Sequence, residues 1–166
     1  MKSLKNQFFA VCLIFFFSIF SFSQATITIK LLVDTGNFDP SDLNKSCSFQ
    51  ATWSNSNKVV KSNGNLEEFA IEAFVDDTIL WEGVSTSSDI SIVDIKKVDR
   101  DNDSKIFKNK KHYGKKRGNS NNETAEGKVR YDTKNKPDYK YKIFFKINHR
   151  GATHKIDPKI KVGNKT

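Results

Sequence analysis

The chain is poor in the residues that build special chemistry. Among its 166 residues there are two cysteines, three histidines and three prolines, and the only methionine is the initiator. Cys12 lies inside an N-terminal apolar run, so a chain that loses this run keeps Cys47 alone and forms no intramolecular disulfide even in an oxidising compartment. The eight glycines include no phosphate-binding loop, and no His-Glu zinc signature or Ser, His and acid grouping is present. Carboxylates pair at Glu67-Glu68 and Asp76-Asp77, but neighbours on a strand point to opposite faces and turn pairs are usually solvated. These absences point away from an enzyme, and no cofactor is expected. No segment keeps a helical period over a useful length, which excludes a helical domain. The longest apolar run, Phe8 to Phe20, is too short to span a bilayer comfortably.

What is present at the N-terminus is an export pattern. Lys2 and Lys5 precede the apolar run, and the small-residue stretch Ser21-Phe22-Ser23-Gln24-Ala25 follows it, with cleavage expected after Ser23. Bulky Phe9, three residues before Cys12, argues against a lipid-modified cysteine. Residues 1–23 are thus read as a signal peptide and residues 24–166 as one secreted or periplasmic domain without a transmembrane segment. Its 143 residues suffice for one hydrophobic core and are too few for two.

Within that domain the apolar residues alternate. Ile27, Ile29, Leu31 and Val33 form one period-two series, and Cys47, Phe49, Ala51 and Trp53 another. Further strands are expected at Phe69–Val75, Ile79–Trp81, Ile90–Val98, Lys128–Tyr131, Tyr139–Ile147 and Ile156–Val162, with a polar, basic and partly disordered loop over 99–127. Seven or eight short strands punctuated by polar turns predict an all-β, antiparallel β-sandwich or flattened barrel. Gly151-Ala152 fits a two-residue hairpin turn. That turn would set Ile147 opposite Ile156, Phe145 opposite Pro158, Ile143 opposite Ile160 and Tyr141 opposite Val162, giving one apolar face. The other face would carry Lys140, Lys142, Lys146, Lys155, Lys159 and Lys161, with Lys146 facing Asp157. Pro158 marks the last strand as an edge or bulged strand.

Two segments, FAIEAFVDDTILWEG and KPDYKYKIFFKINHRGATHKIDPKIKV, resemble the cupredoxin-like sandwich in its strand, acidic turn and strand and in its terminal hairpin. Immunoglobulin-like sandwiches share the same alternation. The resemblance implies architecture only. A copper site of that family would need a His soon after Trp81 and a Cys, a His and usually a Met around the terminal hairpin, and this chain supplies no such set.

Three groups remain as candidate sites. The hairpin register places His149 opposite His154 on the apolar face near the turn, within reach of one copper or zinc ion, although two imidazoles alone make a poor site. The run Asp99-Arg100-Asp101-Asn102-Asp103-Ser104 has the spaced carboxylates of a calcium loop but lacks the Gly and the Glu such a loop needs, so a solvated turn is expected. Charge gives the broadest signal: residues 24–95 hold 4 basic and 11 acidic side chains, residues 96–166 hold 22 and 8. Lys108, Lys110, Lys111, Lys115, Lys116 and Arg117 crowd one loop, Lys128 and Arg130 add to that side, and the hairpin lysines Lys140, Lys142, Lys146, Lys159 and Lys161 form a second group. Such a surface attracts anionic glycans or lipid head groups, while export excludes intracellular nucleic acid. The leading expectation is a non-catalytic binding domain with a basic face. The alternatives are metal binding through His149 and His154, and a structural or self-associating envelope protein.

Overall fold

The computed structural model describes residues 24–88, 90–134 and 136–163; the predicted signal peptide lies outside the described residues. The described chain is all-β and sandwich-like, with one four-residue helix, α1 (Leu43–Ser46). Its strands are β1 (Thr26–Val33), β2 (Cys47–Trp53), β3 (Val59–Lys61), β4 (Ala70–Phe74), β5 (Thr78–Ser85) and β6 (Val93–Arg100). They continue with β7 (Lys111–Tyr113), β8 (Lys115–Lys116), β9 (Glu123–Lys128), β10 (Tyr139–Ile147), β11 (Arg150–Ile156) and β12 (Lys159–Gly163). One sheet runs β3-β2-β1-β5-β9-β8 and the other β4-β12-β10-β6-β7, with β11 also paired to β10.

Alternation decides which side of each strand is inside. In β1 and β2 the antiparallel register sets Ile27 against Trp53, Ile29 against Ala51, Leu31 against Phe49 and Val33 against Cys47. All eight are buried. Across the sandwich, β10 contributes Tyr139, Tyr141, Ile143 and Phe145, each at most 1% exposed. Burying one such side chain is worth about 1.5–3 kcal/mol, so the alternation alone holds most of the driving force.

The expected antiparallel pairing needs correction, because both sheets are mixed. β1 pairs parallel with β5, and β12 pairs parallel with β4. These pairings join strands far apart in sequence, and local alternation carries no information about them. The strand expected at Lys128–Tyr131 lies earlier, as β9, and only Val129 bridges onward, to Phe107. The single strand expected over Ile156–Val162 breaks at Asp157-Pro158 into β11 and β12, since Pro158 cannot donate to a ladder. Residues 99–127, expected as a loop, hold β7, β8 and most of β9.

The terminal hairpin turns at Asn148-His149 and not at Gly151-Ala152. Both residues have positive φ, 53° and 58°, as a type I′ turn demands. Asn148 tolerates that conformation and is pinned there: its N–H donates to the Ile92 carbonyl at 2.7 Å and its side-chain oxygen accepts from the Ile92 N–H at 2.8 Å. Gly151, at φ 81°, lies in the irregular stretch that follows. The register becomes Ile143 opposite Ile156, Phe145 opposite His154 and Tyr139 opposite Ile160. The displacement is four residues at these pairs and six at Ile147, which meets Arg150; both are even, so the β10 apolar side chains stay on the same face while Phe145 and Ile147 face polar partners. Lys146 faces Asp94 and not Asp157, which pairs with Lys155 at 3.5 Å.

A second turn joins the two sheets. Asp76 and Asp77 connect β4 of one to β5 of the other. Asp76 is exposed enough to pair with Lys128 at 3.1 Å, but Asp77 is 1% exposed, against the expectation of a solvated pair. Its carboxylate accepts the N–H of Ala25 at 3.0 Å and that of Phe74 at 2.9 Å, so one side chain holds the approach to β1 and the end of β4. Replacing Asp77 by Ala leaves two N–H groups without this partner, and each such buried group costs about 1–3 kcal/mol. Urea denaturation of Asp77→Ala should show a loss of about 2–4 kcal/mol, and Asp77→Asn, which keeps one acceptor oxygen, a smaller loss.

Candidate functional site

The outer face of the second sheet carries the hairpin lysines. Lys140 on β10 stands directly opposite Lys159 on β12, and Lys161 follows two residues further along β12. Like charges in this relation repel. Among the described residues, Lys140, Lys146, Lys159 and Lys161 make no salt bridge, although Lys161 is in register with Glu72 of β4, which pairs instead with Lys58 at 3.6 Å. Lys142 differs from them. Its ammonium binds the Asp101 carboxylate, and this hydrogen bond raises its pKa above the ordinary lysine value. Lys97 pairs with Asp99 at 3.1 Å and also lies 4.1 Å over the Phe144 ring. The acid run Asp99 to Ser104 is thus occupied internally: Asn102 donates to the Asp138 carbonyl at 2.8 Å and Ser104 to that of Pro137 at 2.6 Å.

The second group surrounds β7 and β8. Lys108, Lys110, Lys111, Lys115, Lys116 and Arg117 are all exposed. Lys111, Lys115, Lys116 and Arg117 line a groove of about 440 Å³ with Tyr113, His112, Thr124 and Glu126. Arg117 pairs with Glu126 at 2.6 Å. The two lysine groups are separated by β6, whose end carries Asp99 beside Asp101, so they form two patches and no single face. A third concavity, of about 470 Å³, is lined by Val75, Lys105, Arg130, Tyr131, Asp132 and Lys136. Of these, Arg130 alone belongs to the basic cluster visible in the sequence. The Lys105 ammonium lies 4.8 Å over the Tyr131 ring, a contact between residues 26 apart in sequence brought together by the Phe107 to Val129 bridge and by the Arg130 and Tyr131 N–H groups on the Ile106 carbonyl.

The structure does not set His149 and His154 opposite each other. His149 sits in the turn and its Nδ1 bonds the carboxylate of Asp94, which is fully buried and also accepts the Glu123 N–H at 2.9 Å. His154 faces Phe145, with its ring centroid 4.7 Å from that of Phe38, and partial burial lowers its pKa. The physical reason is the turn itself: at Asn148-His149 it removes His149 from the ladder. Among the described residues no three His, Cys, Asp or Glu side chains gather as a metal site. No helix among the described residues is long and apolar enough to cross a membrane.

His112 lies behind the β7 groove, packed against Phe107 at 4.8 Å between centroids and Trp81 at 5.9 Å. Its Nδ1 faces the Glu126 carbonyl at 2.7 Å and therefore carries the proton, while Nε2 is buried without a hydrogen-bond partner. Burial lowers its pKa below the usual 6.5. The Cys47 thiol, 6% exposed, is pushed up to about 12 by the same cause. No protein-family model matches this sequence, and a comparison with curated proteins finds no match.

Two outcomes follow from these burials. His112 and His154 are harder to protonate folded than unfolded, so the stability they contribute is complete above the ordinary value of 6.5 and is lost as pH falls below it towards their native values. Thermal melts between pH 7.5 and about pH 5 should therefore show a falling midpoint, less steep in His112→Gln. Cys47 should resist thiol reagents at neutral pH in the folded protein and react fully in denaturant.

Proposed function

We propose that this chain is an exported, non-catalytic β-sandwich of cupredoxin-like or immunoglobulin-like type that binds an anionic envelope or extracellular ligand through its basic half. The supporting observation is the pair Lys140 and Lys159, cations placed directly opposite each other by the sheet, which with neighbouring Lys161 make no salt bridge among the described residues, Glu72 beside Lys161 being paired with Lys58. A fold that only needed a solvated face has no use for cross-strand repulsion, whereas an anionic ligand relieves it. The paired Lys142 and Arg117 contribute to this surface less than the unpaired lysines do. Metal binding loses its main support with the hairpin register, since His149 and His154 no longer face each other.

The test is retention on a heparin column. The domain, residues 24–166, should bind at low ionic strength, elute as salt screens the charges, and do so equally in EDTA. Lys140→Gln/Lys159→Gln/Lys161→Gln should elute at lower salt, and its affinity for anionic phospholipid vesicles should fall by about fivefold per lysine if lipid head groups are the ligand. Absence of retention at low salt would overturn the proposal.

A further inference from the structure

Segments 105–117 and 123–131 run side by side along one margin of the molecule. Their alignment is fixed at four places: the Phe107 to Val129 bridge, the Arg130 and Tyr131 N–H groups on the Ile106 carbonyl at 2.6 and 3.2 Å, His112 on the Glu126 carbonyl, and β8 against β9. Both acids on these segments are engaged, Glu123 with Lys96 at 2.7 Å and Glu126 with Arg117. Asp76 takes up Lys128 at 3.1 Å and Arg130 at 3.7 Å. Lys105, Lys108, Lys110, Lys115 and Lys116 make no salt bridge among the described residues. The margin is therefore a cationic track with a groove at each end.

Each groove contains an exposed tyrosine among cations. Tyr113, 62% exposed, lies with Lys111, Lys115 and Lys116, opposed by Glu126, and Tyr131, 44% exposed, lies with Lys136, opposed by Asp132, with the Lys105 ammonium over one side of its ring. From Thr124 in the first groove to Tyr131 in the second the chain advances seven residues, about 23 Å at strand rise. Volumes of about 440 and 470 Å³ each suit a small-molecule-sized unit. A phosphate chain or a lipid head group requires only charge. An anionic sugar presents an apolar C–H face as well as a carboxylate or sulfate, and a tyrosine ring flanked by lysines answers both.

We infer that this margin binds one extended anionic polysaccharide, with the Tyr113 and Tyr131 grooves as its two end subsites. The inference rests on the polyanion reading above, names a ligand class, and places it on the β7 and β8 patch, apart from Lys140, Lys159 and Lys161. Calorimetry with oligogalacturonates from dimer to decamer tests it at low ionic strength. Affinity should rise with length until the chain spans both grooves and then level off. Tyr113→Ala and Tyr131→Ala should each weaken the long oligomers by about tenfold, an aromatic contact's worth, while leaving the affinity for sodium polyphosphate unchanged. Long-oligomer binding that ignores both substitutions, affinity that is flat beyond the dimer, or tighter binding of polyphosphate or anionic vesicles than of oligogalacturonate would each overturn the inference. In every one of those cases normal heparin retention would leave the broader polyanion reading standing, and lost retention would remove both.

Discussion

The architecture depends on one carboxylate. Asp77 lies at the passage from β4 in one sheet to β5 in the other, and its two oxygens take N–H groups from Ala25, just before β1, and from Phe74, at the end of β4. Sheets that pack through apolar side chains alone can slide, because the hydrophobic effect has no direction. A buried charge with fixed donors cannot slide without leaving those donors stranded. The parallel pairings of β1 with β5 and of β4 with β12 both start from elements held at this corner.

Much of the core was legible in the sequence because period-two alternation is written locally. β1, β2 and β10 have the bounds that alternation predicts. The hairpin shows how a local misreading can leave a global statement intact: glycine drew the expected turn to Gly151-Ala152, whereas an Asn side chain bonded to Ile92 holds it at Asn148-His149. An even displacement changed every partner, bringing His154 and Arg150 against β10, and left the β10 faces as they were. The mixed sheets were not legible, since nothing in the sequence of β1 says that β5 lies beside it. β7 and β8 were hidden for another reason: lysines suit edge strands, where charge blocks pairing with other chains, but in a sequence they look like a solvated loop.

The candidate surface divides in the same way. Segregation of charge between the two halves is a matter of counting, and the crowded lysines are visible at once. Which of them are neutralised is a property of register. Lys142 meets Asp101 only because β10 lies against β6, and Lys140 meets Lys159 only because β12 returns to the start of β10. Lys105, Tyr131 and Lys136 escaped notice because they are isolated in sequence and form a concavity only once Phe107 reaches Val129.

Gly114 separates β7, paired with β6 in one sheet, from β8, paired with β9 in the other. A Cβ at this position would overlap the carbonyl oxygen of Ile95, and one at Gly83 would meet the carbonyl of Val93. The two sheets are thus stitched closely along this side by a single ribbon, while β3 and β4 terminate them on the other without pairing to each other. Mechanically the sandwich is a book with its spine at Gly114. On the far margin the sheets are joined by side chains instead of backbone, through the Lys58 to Glu72 ion pair and the Phe49 ring stacked on Phe69, so the lysines of β7 and β8 are the ones whose spacing is set by the spine.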